Sequence, residues 1–243
     1  MRNILFSINA ILKNVLLKLR IHTVVGFFYK PLIFISNFIV LSKWISKYTD
    51  QTKYLHTAIK RDYNKRQSLY QYVIDTYNLR EEAIDYIEMG VCGGGSFEWW
   101  IRSNQHPNSR FYGFDTFEGL PEKWSILFSS GDMYADVPTL HDSRGKFIKG
   151  LFQDTLVPFL HDNKFEHNIR KVIHMDADLY SSTLFSLSML YPYLKKGDII
   201  FFDEFNVPNH EFLAWKNFTE SFYVKYDLIG AVNNFYQVAV IIK

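Results

Sequence analysis

Two carboxylates one residue apart lie in the segment HMDADLYSST, residues 174–183, where an apolar run ends. In a strand, Asp176 and Asp178 would point to the same side. Like charges that close repel each other unless a cation or a proton is held with them. The pair therefore indicates a metal site, a general base, or both.

A second acidic pair, Asp203 and Glu204, ends the apolar run DIIFFDE, 27 residues after Asp176. If the two runs are neighbouring strands, Asp176, Asp203 and Glu204 come together as an all-oxygen set suited to Mg²⁺. The alternative is that these acids are separate solvated carboxylates at the starts of loops. Nearby, His174 is interpreted as a core residue and His210 as the start of a helix.

The segment EMGVCGGGS, residues 88–96, places glycines between a predicted strand and a predicted helix. Missing side chains there let a ligand approach the backbone and the helix N-terminus. The segment lacks the G-x-G-x-x-G pattern, which disfavours a nicotinamide or flavin pyrophosphate. Glu88 would also repel a pyrophosphate and attract an amino-bearing ligand. The alternative is a tight turn with a chance acid.

Asp115 ends the run RFYGFD, 25 residues after Gly90. A carboxylate at this place commonly takes the ribose hydroxyls in nucleotide-binding sheets. Taken alone, such an aspartate could equally cap a helix. Together with the glycine segment, it becomes a candidate ribose ligand.

The acidic residues and the glycine segment can form one site only if the fold brings the ends of several strands together. From residue 67 onward, short apolar runs alternate with helix-length segments, which predicts a doubly wound, mostly parallel sheet covered on both faces. The last two runs, YDLIGAV and FYQVAVIIK, are joined by a short turn and predict an antiparallel hairpin. Ligands of such sheets bind at the carboxyl ends of the strands, where the acids above stand.

Composition divides the chain of 243 residues into three parts. Residues 1–49 carry seven basic residues and no acid, residues 50–66 form a polar connector expected to be helical, and residues 67–243 form the catalytic domain. The single cysteine, Cys92, provides no internal disulfide and favours a cytoplasmic protein. No nucleic-acid partner is expected.

The basic N-terminal part is interpreted as a helical extension. Its apolar runs are separated by Lys30 and are shorter than the roughly 18 residues of a spanning helix. Three alternatives stay open: packing on the domain or on a second subunit as a homodimer, an amphipathic segment on the inner face of an anionic membrane, and a poor spanning helix broken at Lys30-Pro31.

Four segments, in this order and spacing, resemble the macrocin O-methyltransferase family: YIEMGVCGGGSFEWW, FYGFDTFEGLPEKW, HMDADLYSST and DIIFFDEF. The resemblance covers about residues 67–243. It implies a class I, Rossmann-like methyltransferase domain with a seven-stranded sheet. It also implies an S-adenosylmethionine-dependent enzyme that methylates sugar hydroxyls.

The resemblance further implies a role for each candidate residue. Asp178 would be the general base, and Mg²⁺ would be bound by Asp176, Asp203 and Glu204. The cofactor would be held by Glu88, Gly90, Gly94, Ser96 and Asp115. Many members have Asp-Asp where this chain has Asp203-Glu204. The acceptor would be a small molecule or a glycan whose identity depends on lid segments, such as residues 122–142.

Two rival functions remain at this point. A glycosyltransferase also uses Asp-x-Asp with a divalent cation, although Glu88 beside the glycine loop argues against it. A non-catalytic membrane-associated scaffold on the same fold is the second rival, since fold alone does not establish activity.

Overall fold

An eight-stranded sheet forms the centre of the protein in a computed structural model that describes residues 2–125, 127–163 and 169–243. The strand order is β1-β7-β8-β6-β5-β2-β3-β4. Every pairing is parallel except those of β8, which runs antiparallel to β6 and β7. The strands are β1 Tyr54–Leu55, β2 Ile84–Met89, β3 Arg110–Asp115, β4 Gly145–Lys149, β5 Arg170–Met175, β6 Ile199–Phe202, β7 Tyr226–Val232 and β8 Gln237–Ile242. The mostly parallel sheet and the C-terminal hairpin are confirmed.

Helices lie on both sides of the sheet. They are α1 Arg2–Lys18, α2 His22–Val25, α3 Tyr29–Thr49, α4 Asn64–Tyr77, α5 Gly95–Ser103, α6 Phe152–Asp162, α7 Tyr180–Leu190 and α8 Glu211–Ser221, with short 3₁₀ turns at Gly26–Phe28 and Tyr191–Tyr193. From β2 to α8, the elements follow the alternation of apolar runs and helix-length segments in the sequence.

The strand β2 shows why both faces are covered. All six of its residues are buried. Ile87 and Met89 belong to one core cluster with residues of α6, α7 and α8, whereas Ile84 and Tyr86 belong to a second cluster with residues of α4 and α5. Since successive side chains of a strand point to opposite faces, both faces of β2 are covered, and its two acids, Asp85 and Glu88, are buried with its apolar residues.

The connector differs from its predicted form. It was expected to be helical, but it contributes the two-residue strand β1, which pairs with Gly230 and Ala231 of β7 and makes the sheet eight-stranded instead of seven-stranded. The side chain of Asn233, in the hairpin turn, accepts the N–H of Asp62 over 3.1 Å. Contacts with the hairpin therefore outweigh the helical tendency of a polar, glycine-free segment.

Residues 22–49 form a continuous helical run, because α2, the 3₁₀ turn and α3 follow one another without a break. The break at Lys30-Pro31, which one of the three alternatives for the N-terminal part included, is absent: Pro31 lies in the first turn of α3, where a missing N–H costs no helical hydrogen bond. Within the described part of the chain, this run is the one helix that is both long enough and apolar enough to cross a membrane. The end of α3 packs on the domain through Leu41 and Trp44.

Candidate functional site

The loop between β2 and α5 begins with Gly90, whose φ of +98° lies in the left-handed region. A Cβ at this position would stand 1.9 Å from the main-chain oxygen of Asp176. Only glycine therefore lets the end of β2 lie against the end of β5, where the Asp176 N–H donates to the Met89 carbonyl over 3.0 Å. The glycine loop and the Asp176–Asp178 segment are held together by this approach.

The carboxylate of Asp115, at the end of β3, binds the glycine loop directly. Its Oδ2 accepts the N–H groups of Val91 and Cys92 over 2.8 and 2.7 Å, and its Oδ1 accepts the N–H of Phe117 over 2.7 Å. A carboxylate offers about four acceptor sites, so one remains for a ligand. Asp115 caps no helix, because the element that follows it among the described residues is strand β4.

A cleft of about 660 Å³, counting its open mouth, lies beside the glycine loop. Four of the predicted site residues line it: Gly90, Asp115, Asp176 and Asp178. The sequence interpretation missed most of the remaining wall: Cys92, Thr116, Gly119, Leu120, Pro121, Met133, Leu151, Phe152, Gln153, Ala177 and Ser182. Residues 151–153 follow β4, so the rule that ligands bind at strand ends could have found them. Met133 belongs to the predicted lid segment, residues 122–142, although the strand-end rule does not mark it.

The other three predicted cofactor residues are not among the described residues that line the cleft. Glu88 is 1% exposed, and its Oε2 accepts the hydroxyl of Tyr86 over 2.7 Å. Ser96 is buried in the first turn of α5, and Gly94 precedes that helix with a φ of +79°. The cofactor roles of Glu88, Gly94 and Ser96 stay predictions.

Acidic side chains come together at the ends of β5 and β6. Burial first, and then the negative charges of Asp176, Asp203 and Glu211, raise the pKa of Glu204 well above its ordinary value. Three buried carboxylate oxygens have no hydrogen-bond partner among the described residues: Asp203 Oδ1, Glu204 Oε2 and Glu211 Oε1. Buried carboxylate oxygens without partners are costly. This set fits a hard divalent cation, which takes oxygen ligands.

Arg66, on α4, supplies positive charge to this acidic cluster. Its Nη1 is 2.9 Å from Oδ2 of Asp203 and 3.7 Å from Oδ2 of Asp176. One guanidinium against four carboxylates leaves the cluster with an excess of negative charge. No sequence signal marks Arg66, because it stands in a polar stretch among other basic residues.

His174 has possible ligand atoms within 4.8 Å of those of Asp176 and Asp203. However, its Nε2 is 3.0 Å from the hydroxyl of Tyr70 and its Nδ1 is 3.3 Å from that of Tyr86. Both ring nitrogens are thus engaged, and the side chain is fully buried. The interpretation of His174 as a satisfied core residue is confirmed, and the carboxylates are the better candidate ligands.

Asp178 has a φ of +56°, so the chain turns after β5 and does not continue as a strand. Its side chain lines the cleft although the residue is only 8% exposed. Burial, together with the negative charges of Asp203 and Asp115, raises the pKa of Asp178 to about 7. A carboxylate with such a pKa can take up a proton near neutral pH.

The predicted lid segment lies over the amino ends of α7 and α8. Glu122 accepts a hydrogen bond from the hydroxyl of Ser181 over 2.5 Å, and the rings of Trp124 and His210 are 6.4 Å apart. His210 directly precedes α8, which confirms it as a helix-start residue. Ile126, within this segment, lies outside the described residues.

Comparison with known proteins identifies sugar and natural-product methyltransferases. Residues 132–237 match the family model described as macrocin-O-methyltransferase (TylF). A curated protein of Streptomyces olivaceus, 8-demethyl-8-(2,3-dimethoxy-alpha-L-rhamnosyl)-tetracenomycin-C 4'-O-methyltransferase, is 28% identical over an alignment of 166 positions; the match covers 59% of this chain and 61% of that protein. The match thus spans less than two thirds of that relative's length.

Two solved structures share the fold. The calicheamicin methyltransferase CalS11 aligns with a TM-score of 0.59 at 17% identity, over 85% of this chain and 91% of its own. The O-methyltransferase NovP aligns with a TM-score of 0.52 at 22% identity, over 71% of this chain and 77% of its own. These likenesses confirm the predicted class I methyltransferase fold.

Proposed function

We propose that this chain, whose residues 132–237 match the macrocin O-methyltransferase family model, transfers a methyl group from S-adenosylmethionine to a hydroxyl of a sugar or glycosylated acceptor. One observation carries the proposal: a single cleft is lined by Gly90 and Asp115 together with Asp176 and Asp178. A cofactor site and an acid–base site thus adjoin. We place the activity in the cytoplasm, in keeping with the single cysteine.

The cofactor would lie along the glycine loop. The remaining acceptor capacity of Asp115 would take ribose hydroxyls, and Gly90 lines the cleft beside it. The apolar and amide surface of residues 151–153 offers a place for the adenine. Glu88, Gly94 and Ser96 would support the methionine part through the loop and the start of α5.

Mg²⁺ would be held by Asp176, Asp203 and Glu204. The unpartnered oxygens of Asp203 and Glu204 support this assignment, and the unpartnered oxygen of Glu211 adds negative charge beside it. When bound, the cation lowers the pKa of a sugar hydroxyl that it coordinates. The main-chain N–H of Glu204 donates to Oε2 of Glu211 over 3.0 Å, which fixes the backbone that presents Asp203 and Glu204.

Asp178 would act as the general base. Its carboxylate takes the proton from the acceptor hydroxyl while the hydroxyl oxygen bonds to the methyl carbon and the bond from that carbon to sulfur breaks. Its place on the cleft wall, two residues beyond Asp176, would set it beside the hydroxyl that the acidic cluster orients. The buried wall of the cleft limits the water that competes for the methyl group.

Replacing Asp115 by alanine is expected to weaken S-adenosylmethionine binding. Loss of a charge-assisted hydrogen bond costs about 1.5 to 3 kcal/mol, or roughly ten- to hundredfold in Kd. Calorimetric titration measures the effect. Glu118→Ala is the matched control, because Glu118 is an exposed acid three residues along whose one ion pair among the described residues is with Lys149 at the surface. Equal affinity of Asp115→Ala and the wild type would remove Asp115 from the cofactor site.

The acidic cluster predicts that a divalent cation raises the melting temperature, and that this rise grows with pH. Burial raises the pKa of Asp176, Glu204 and Glu211 well above their ordinary values. Such groups stabilise the fold most below their unfolded pKa near 4, and this stability is lost as pH rises through the folded pKa. We therefore expect the melting temperature to fall from pH 5 toward pH 8 without divalent cations.

Adding Mg²⁺ should reverse this loss, so the rise in melting temperature should be larger at pH 8 than at pH 5.5. Scanning calorimetry at matched ionic strength measures it, with KCl as the control. Asp203→Asn should reduce the rise. The same Mg²⁺ effect at both pH values, or an equal effect of KCl, would mean that the cluster does not bind the cation.

A further inference from the structure

The helix α1 exposes a continuous apolar face. Its members repeat at intervals of three and four residues, which places them on one side of a helix. They are 47% to 65% exposed: Ile4, Ile8, Ile11, Leu12 and Val15. A soluble protein rarely leaves an apolar face of this size without a partner.

The N-terminal arm, residues 2–36, also exposes apolar side chains outside that face, among them Phe6, Leu17 and Phe27, together with five basic residues. On α1, Lys13 and Asn14 lie outside the apolar face. Residues 1–49 hold seven basic residues and no acid. All seven basic side chains are exposed, and within the described part of the chain none of them forms an ion pair.

The apolar surface continues onto α3. Leu32, Phe34, Ile35 and Phe38 are 48% to 59% exposed and lie away from the domain. On the opposite side of α3, Asn37 donates a hydrogen bond to Oδ1 of Asn209 over 2.8 Å. One side of α3 is therefore fixed to the domain, and its other side exposes apolar residues, as α1 does.

The attachment of α3 argues against a spanning helix. From Asn37 onward, α3 is fixed to the domain, and Trp44 donates to the hydroxyl of Tyr226 over 2.8 Å. Only residues 22–36 of the helical run are free, which at 1.5 Å per residue gives about 22 Å. A spanning helix needs about 20 residues and 30 Å.

The charge of the arm argues against a second copy of the chain as its partner. Pairing two arms would bring five basic residues against five others with no acid in either, and like charges repel. An anionic lipid surface has the opposite charge and an apolar interior. We propose that residues 2–36 bind the surface of an anionic bilayer, with the apolar face of α1 and the exposed face of α3 inserted among the lipid chains.

This contact would bring the acidic cluster close to the membrane. Asn209, the partner of Asn37, lies two residues before Glu211 in the segment that follows β6. The proposal is independent of the methyl-transfer activity, because it depends only on the arm. It predicts binding of the full-length chain to lipid in the absence of cofactor and acceptor.

Co-sedimentation of the full-length protein with vesicles tests the proposal. We expect binding to vesicles that contain phosphatidylglycerol, weak binding to pure phosphatidylcholine, and release of much of the protein at about 1 M salt, where charges are screened within about 3 Å. Two variants that each add one negative charge distinguish insertion into the lipid from electrostatic attraction to its surface. Leu12→Glu places the charge on the apolar face of α1, and Asn14→Glu places it at a polar position outside that face.

Leu12→Glu should bind phosphatidylglycerol vesicles at least roughly tenfold more weakly than Asn14→Glu, because it alone removes an inserted leucine. The melting temperature of both variants should match that of the wild type, since both sites are exposed. Equal binding of the two variants, or equal binding of the wild type to both lipids, would overturn the proposal. So would a dimer in light scattering that becomes a monomer in Leu12→Glu.

Discussion

Replacing Asp178 by asparagine is expected to lower kcat by roughly 10² to 10⁴, the usual contribution of a general base. The amide cannot take up the proton of the acceptor hydroxyl. Asparagine has nearly the same size, so the affinities for Mg²⁺ and for S-adenosylmethionine should stay near those of the wild type. Added Mg²⁺ should not restore activity. Turnover is measured on any accepted sugar together with calorimetric titration of both ligands.

Asp176→Asn is the matched comparison, because it makes the same chemical change two residues earlier. If Asp176 is a ligand, this variant should bind Mg²⁺ more weakly, and part of its activity should return at high Mg²⁺, since mass action refills a weakened site. Identical metal-binding defects in the two variants, or full rescue of Asp178→Asn by Mg²⁺, would make Asp178 a ligand too.

Replacing Gly90 by alanine is expected to destabilise the protein by about 3 to 5 kcal/mol. The new Cβ would stand 1.9 Å from the main-chain oxygen of Asp176, and a φ of +98° disfavours any side chain. To relieve the clash, the ends of β2 and β5 would have to move apart, which would also open the cleft. Chemical denaturation measures the free energy of unfolding.

Gly93→Ala is the control for this prediction. Gly93 lies in the same loop, but a Cβ there would meet no atom within 4 Å. We expect its free energy of unfolding to change by less than about 0.5 kcal/mol. Comparable stability of the two variants would show that the contact between the glycine loop and Asp176 does not constrain the site.

The sequence pattern predicted the order of strands and helices from residue 67 onward, because this part follows the two periodicities of side-chain burial. It also predicted that acids gather at the strand ends. The geometry of Asp178 was not predictable in this way: alternation along a strand was assumed, whereas β5 ends at Met175 and Asp178 adopts a positive φ. Local turns depend on contacts that periodicity does not encode.

Long-range contacts explain the other differences. Arg66 reaches Asp203 across 137 positions of sequence, and β1 pairs with a strand that lies more than 170 residues away. The sequence around Arg66 and around β1 contains no pattern that predicts either of these contacts. The uninterrupted helix through Lys30-Pro31 has a different cause, because proline is tolerated in the first turn of a helix.

The most direct test of the account is calorimetric titration of the wild-type chain, in parallel, with S-adenosylmethionine, NAD⁺ and a nucleotide sugar, each with and without Mg²⁺. The proposed methyltransferase function predicts saturable binding of S-adenosylmethionine at one site per chain, and no comparable binding of NAD⁺. The absence of S-adenosylmethionine binding, or tighter Mg²⁺-dependent binding of the nucleotide sugar, would contradict it and favour a scaffold or a glycosyltransferase.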